Sequence, residues 1–314
     1  MLPVLFVNES PVLPMTLLAI LIALFLATQR WVPAVIRERR WLRLYLVWFE
    51  RVLRARRWPV GMQFIAYLVP MGVLAWLTDV PLPGHIARGL EVAVAVLLLC
   101  SALDYRLVEN RLRETVKRWH SQDWEAVRLE GKKYWGYGRL VQPTEIVNQT
   151  LIRFLVRTNQ GLFSPIFWYV LFGSSGLMCY VLSRVAARNR FREKNGELVR
   201  VWRRVAFEFL QVLDGFAARV LVFTLSILSF NVKGMAIAFR RFRASDREAD
   251  MVLRMAARVV LNFHEWPETP EAIASEGAQR AERVLRLRRI LLMGWLLVLA
   301  LFTIARLTIP LPFL

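Results

Sequence analysis

Three histidines, His85, His120 and His264, are the only imidazoles in the chain, and none has a second histidine or cysteine three or four positions away. A transition-metal site built on histidine is therefore not expected, because such sites need convergent ligands at helical or loop spacing. The segment 131–138, GKKYWGYG, offers a Gly-Lys pair without the upstream glycine or the following Ser or Thr of a phosphate loop. No GxSxG elbow and no Cys/His pairing occurs either, so no catalytic residue, metal or cofactor is expected. What stands out instead is Asp214 and Arg219, together with Glu208, inside the otherwise apolar stretch 205–239. Ionisable groups are costly in that setting and are ordinarily paired or turned toward protein or water. Asp214 and Arg219 lie about 140° apart on a helix, so a direct pair needs a backbone break at Gly215, and separate partners are equally open.

The elements that must position these groups follow from charge and hydropathy together. The chain has 314 residues, 56% of them hydrophobic, yet its net charge is +19. That much apolar surface needs a non-aqueous partner, and the arginine clusters abut the apolar runs, which points to an anionic membrane face and away from nucleic acid. The expected fold is all-α, a polytopic helical membrane protein with about four transmembrane helices, two membrane-dipping hairpins and helical cytoplasmic segments. Full spans are expected at 13–28, 59–77, 90–103 and 290–309. The first basic residue is Arg30, so the opening run reads as a retained helix and not a signal peptide. Cys100 and Cys179 both sit within apolar runs and read as packing residues.

Arginines crowd 30–57, placing that stretch in the cytoplasm of a bacterial inner membrane and both termini on the periplasmic side. Within it Leu42, Tyr45, Leu46 and Phe49 recur at helical spacing opposite Arg39, Arg40 and Arg43, an interfacial amphipathic pattern with Trp41, Trp48 and Trp58 as headgroup anchors. The other cytoplasmic segments are 104–161, 184–204 and 240–289. Basic residues flank 162–183 on both sides, and the break GSSG at 173–176 predicts a hairpin that returns to the side it entered from. The same charge logic predicts a second hairpin over 205–239, and glutamate at position 91 is expected to pair with Arg88 at the membrane rim.

A resemblance emerges from three ordered motifs. Residues 161–180, GLFSPIFWYVLFGSSGLMCY, resemble the G-x-x-[SA]-P-[LI]-F-[WY]…G…G…Y signature of two related membrane families: the adenosylcobinamide-phosphate synthases of cobalamin biosynthesis and the AmpE modulators of β-lactamase regulation. Leu213-Asp214 followed by Arg219 is similar to their LDxxPxR, with Ala217 in place of the proline. Residues 268–272, ETPEA, resemble the late ETPxA element of AmpE. The synthases carry E-N-x-x-D-G just before the Pro-Leu-Phe, where this chain has Val156, Arg157, Thr158, Asn159, Gln160 and Gly161. Both acids are absent, so Mg²⁺-dependent joining chemistry loses its carboxylates. The Asn that follows the synthases' late proline is replaced by Glu271.

The resemblance implies an inner-membrane signalling modulator of the AmpE type, linking peptidoglycan recycling to β-lactamase expression and binding an anionic ligand, a lipid headgroup or a signalling partner. The candidate ligand-binding residues are Pro165, Phe167, Trp168 and Tyr169, which shape the hairpin, with Asp214, Arg219, Thr269 and Pro270 lining a basic mouth. A synthase-like membrane enzyme is the alternative, and a small-anion transporter a second one, suggested by the broken hydrophobic segments.

Overall fold

Runs of Leu, Ala, Val and Phe without a hydrophilic face cannot stay solvated as extended chain, and in hydrocarbon the only local way to satisfy every backbone N–H and C=O is the helix. The computed structural model describes residues 12–29, 41–42, 44–49, 69, 73, 84–136, 140, 142–188, 196–228, 251, 253–255, 257 and 266–308, and among them there is no strand. Eight helices run through them: α1 (Val12–Gln29), α2 (Gly84–Ala102), α3 (Tyr105–His120), α4 (Trp124–Glu130), α5 (Pro143–Thr158), α6 (Ser164–Arg188), α7 (Gly196–Leu228) and α8 (Pro270–Thr308). Short π-helical turns, Gly131–Trp135 and Asn159–Phe163, interrupt the regular ladder. The all-α fold expected from the sequence is what the structure has.

Two hydrophobic cores divide the molecule into layers. The first gathers α1, α2, α6, α7 and the second half of α8, with Leu42, Leu46 and Phe49 of the amphipathic segment packed in. Ala19, Ala23, Ala95 and Ala102 are fully buried where α1 meets α2 and its neighbours. Small side chains let backbones approach closely, and this is how helices gain packing energy where lipid already satisfies apolar surface. The second core joins α3, α4, α5 and the first half of α8 around Leu112, Trp119, Val147 and Phe154. Its outer faces carry ion pairs such as Arg118–Glu130 and Arg113–Glu282. Asp123 starts α4 by accepting a hydrogen bond from the Ala126 amide at 3.0 Å.

Three stretches are long and apolar enough to cross a membrane, Pro143–Ala187, Arg204–Ile227 and Pro270–Ala305, which marks the chain as a membrane protein. The first does not run straight. Phe172 (φ −129°) and Gly173 (φ +61°, ψ −152°) leave the helical region, and the chain folds back on itself there. The Tyr180 hydroxyl accordingly lies 2.9 Å from the Gln160 carbonyl, whereas twenty residues of straight helix would separate them by about 30 Å. Gly176 lies against the opposing arm so closely that a Cβ on it would sit 2.7 Å from the Trp168 carbonyl oxygen. From Gln160 to the tip at Phe172 the hairpin rises about 18 Å, against a hydrocarbon core of about 30 Å. Leu171 and Phe172 at the tip are exposed, as a lipid-embedded turn requires.

Other boundaries differ from the sequence reading. The helix expected to span 90–103 begins at Gly84, within what reads as a proline-rich outer turn. α7 continues unbroken from Gly196 to Leu228, so no turn occurs in that part of the expected 205–239 hairpin, and a return over 229–239 lies outside the described residues. Gly215 is tolerated there because a helix held by packing does not need high propensity at every position. The last span is part of a 39-residue helix that also runs through the end of the expected cytoplasmic segment 240–289. The span expected at 59–77, apart from the exposed helical residues Val69 and Val73, the arginine-rich face of 30–57 and the side chain of Arg88 lie outside the described residues.

Candidate functional site

Where the hairpin base meets α7, four elements bring polar side chains into the apolar layer. Asp214 projects from α7 and is only 1% exposed. The Tyr180 hydroxyl, on the returning arm of α6, lies 2.8 Å from Asp214 Oδ1, and with one proton to give it can serve that oxygen or the Gln160 carbonyl at any moment. Gln160 donates from Nε2 to Asp214 Oδ2 at 2.9 Å. Asn159 donates to the Asp214 carbonyl at 3.4 Å, and Trp168 Nε1 donates to the Leu213 carbonyl at 3.2 Å. Two successive carbonyls of α7 are thus stapled to the hairpin. Ser164 faces the same carboxylate without closing a well-formed hydrogen bond, and among the described residues Asn159 Oδ1 has no partner although it is fully buried.

Two of these donors stand on the π turn. The turn spans Asn159–Phe163, and from its first two positions Asn159 reaches the Asp214 carbonyl and Gln160 the Asp214 carboxylate. One turn beyond Tyr180 on the same helix face stands Arg184, 2% exposed. Its guanidinium donates to Asp104 Oδ2 and, at 2.8 Å, to the Ala102 carbonyl. The pair therefore caps the C-terminus of α2, one of whose orphan carbonyls would otherwise be buried without a donor. Gly161 closes the joint: its carbonyl accepts from the Asp104 amide at 2.9 Å, and a Cβ there would approach Asp104 Cβ to 3.1 Å. The result is a closed, hydrogen-bonded knot of Asp104, Asn159, Gln160, Tyr180, Arg184 and Asp214, with one guanidinium between two carboxylates.

The sequence candidates fall into three places. Trp168 borders the knot and stacks on Phe172 at 5.7 Å while meeting Phe216 edge-on. Phe167 lies between Trp168 and Trp295 of α8, and Pro165, inside a helical run that continues from the π turn, has no N–H to give the preceding turn, where the Gln160 and Gly161 carbonyls accept from the Tyr180 hydroxyl and the Asp104 amide instead. Tyr169 turns the other way, toward Thr16 of α1 and Glu91 of α2, so Glu91 faces the bundle interior. Asp214 takes its hydrogen bonds from Tyr180 and Gln160, whereas the Arg219 guanidinium lies against Gly215. Thr269 and Pro270 are exposed at the start of α8, beside the α3–α4 corner through the Gln122–Glu271 bond of 2.9 Å. Trp295, which touches the hairpin, lies about 37 Å further along that helix, so the late motif does not join the Asp214 group.

Of the knot only Asp214 is a sequence candidate; Asp104, Asn159, Gln160, Tyr180 and Arg184 are not among the candidates. Arg184 reads in the sequence as one more cytoplasmic arginine. The signal that identifies it is its four-residue spacing from Tyr180, which places both on the helix face that meets Asp214. Fold and site together define a helical membrane protein with a folded-back hairpin locked to a neighbouring helix through a buried carboxylate. Comparison with protein-family models, with curated proteins and with solved structures gave no match.

Proposed function

We propose that this chain is a non-enzymatic signalling modulator of the bacterial inner membrane, resembling the AmpE branch and coupling peptidoglycan recycling to β-lactamase expression. In this reading the polar helical layer is cytoplasmic, the termini are periplasmic, and binding of an anionic ligand, lipid headgroup or partner acts on the hairpin held at Asp214. The observation that carries it is the state of the Asp214 carboxylate. Both of its oxygens face donors of the protein itself, from Gln160 and Tyr180, and Gln160 occupies the position at which the related synthases carry an acid. The other carboxylate of the knot, Asp104, is engaged by Arg184. Mg²⁺ chemistry on a phosphate substrate needs open carboxylate oxygens, and this joint offers a locked contact in their place.

The test is paired complementation. Expression of the chain in a bacterium lacking its AmpE-type modulator is expected to change β-lactamase induction by a β-lactam, and a Gln160→Ala/Asp214→Ala variant to abolish that change. Expression in a strain lacking the cobinamide-phosphate synthase is expected to give no growth without added cobalamin. Growth there would overturn the modulator reading in favour of the enzyme.

A further inference from the structure

The seam between α3 and α8 carries more positive charge than it pairs. The two helices run antiparallel, because Arg113 meets Glu282 at 3.2 Å while Arg288, six residues further along α8, meets Glu109, four residues earlier on α3. Continuing that register one turn places Arg106 level with the start of the apolar half of α8, near Ile290. Five arginines, Arg106, Arg113, Arg286, Arg288 and Arg289, therefore share the seam with two carboxylates, Glu109 and Glu282. Arg288 is buried in its pair, and Arg289 reaches Glu109 at 3.5 Å while remaining 57% exposed. Among the described residues Arg106 and Arg286 have no acidic partner, and both are exposed. On α8 the basic positions 286 and 289 are followed, at spacings of three and four, by exposed Ile290, Met293 and Leu297. One helix face thus changes from guanidinium to hydrocarbon within about one turn.

We propose that this seam seats an anionic phospholipid, its phosphate among Arg106, Arg286 and Arg289 and an acyl chain along Ile290 and Met293. Guanidinium forks match phosphate oxygens, and their weak hydration suits a site half withdrawn from water. The apolar continuation selects a lipid over a free anion, since only a molecule with both parts covers both surfaces. The proposal rests on the membrane reading of the chain and is independent of the Asp214 joint.

Full-length protein is purified in mild detergent, equilibrated with equal amounts of phosphatidylglycerol and phosphatidylcholine, and the retained lipid counted by mass spectrometry. The wild type is expected to retain phosphatidylglycerol preferentially. The Arg106→Gln/Arg286→Gln/Arg289→Gln variant is expected to lose that preference by roughly a hundredfold, from about fivefold per basic residue at an anionic surface. A Lys117→Gln/Lys132→Gln/Lys133→Gln variant removes the same charge from the far end of the polar layer and is expected to keep it. Should the triple arginine variant not fold, the single exposed Arg286→Gln is expected to lose about fivefold. Equal retention of both lipids by the wild type, equal losses in the two triple variants, or displacement of the lipid by inorganic phosphate would each overturn the proposal. Extraction of the wild type from cell membranes by alkaline carbonate tests the membrane reading separately: protein that stays in the pellet but shows no lipid preference refutes only the seat.

Discussion

Removing the Asp104 carboxylate isolates the energetics of the joint. In Asp104→Ala the Arg184 guanidinium keeps the Ala102 carbonyl but loses the carboxylate that it is hydrogen-bonded to, in a position 2% exposed to solvent, with Asp214 left as the one carboxylate of the knot. Breaking a buried pair from one side costs about 3–5 kcal/mol, because the remaining charge stays desolvated. For a chain of this size about 2 °C of melting temperature corresponds to each kcal/mol, so the expected drop is roughly 6–10 °C. Arg184→Met is expected to cost less, since Asp104, with 17% of its side chain exposed, can recover water. The double variant Asp104→Ala/Arg184→Met removes both charges and is expected to melt above Asp104→Ala, a sign reversal that additive effects cannot give. The assay is built into the sequence: Cys100 is buried and Cys179 partly so, and both are free, so a thiol-reactive fluorophore reports unfolding in detergent without added probes. A double variant that melts at or below Asp104→Ala, or an Asp104→Ala drop under about 2 °C, refutes the assignment of a buried, mutually dependent pair.

Three further outcomes are expected. Glu109 titrates below the ordinary 4.5 because, although burial pushes it up, the Arg288 charge and hydrogen bonds from Arg113 and Arg288 outweigh that effect. A folded-state value below the unfolded one means that the contribution is complete above the ordinary glutamate range and is lost as pH falls through the depressed value, so the melting temperature should decline below about pH 4.5 and Glu109→Gln should flatten that decline. Gly176→Ala places a Cβ 2.5 Å from Phe172 Cβ and should destabilise by at least about 1–3 kcal/mol, whereas Gly89→Ala, with nothing within 4 Å, should be neutral or stabilise by up to about 1 kcal/mol; melting curves of the two decide. Single cysteines at Gln142 and Arg188, in a background without Cys100 and Cys179, should react with an impermeant maleimide from the same side of the membrane, and labelling from opposite sides would dismiss the folded-back hairpin.

Much of the architecture follows from local rules that the sequence states openly. Charge-free 13–28 becomes α1, and GSSG preceded by aromatic residues marks the hairpin tip, because glycine alone adopts the positive φ found at Gly173 without strain. Side-chain fate is less legible. Arg184 sits in a basic cluster with Arg188 and Arg288 in one with Arg286 and Arg289, yet Arg184 and Arg288 are buried partners of Asp104 and Glu109. Counting all four as surface charge overstates the evidence for which leaflet a segment faces, since the leaflet bias acts on charges that must stay in water. The π turn at 159–163 has no compositional signature either. From the sequence Gln160 reads as a lost carboxylate and not as the donor that fastens Asp214. Thr269 and Pro270 belong to a recognisable motif, but distance along a helix is set by its length, and no short motif encodes that α8 runs unbroken for 39 residues.

That length makes α8 a single rigid rod shared between lipid and water. Measured from buried Arg288, about 27 Å of helix lies on the polar side and about 30 Å on the apolar side. A lean of about 10° in the bilayer would sweep Pro270 sideways by about 5 Å. Such a sweep exceeds what the Gln122–Glu271 bond can stretch and what the close Gly277–Val147 packing can absorb. The rod therefore leans only by dragging the α3–α4 corner with it or by letting go of that corner, so bilayer thickness acts directly on the far surface of the polar layer.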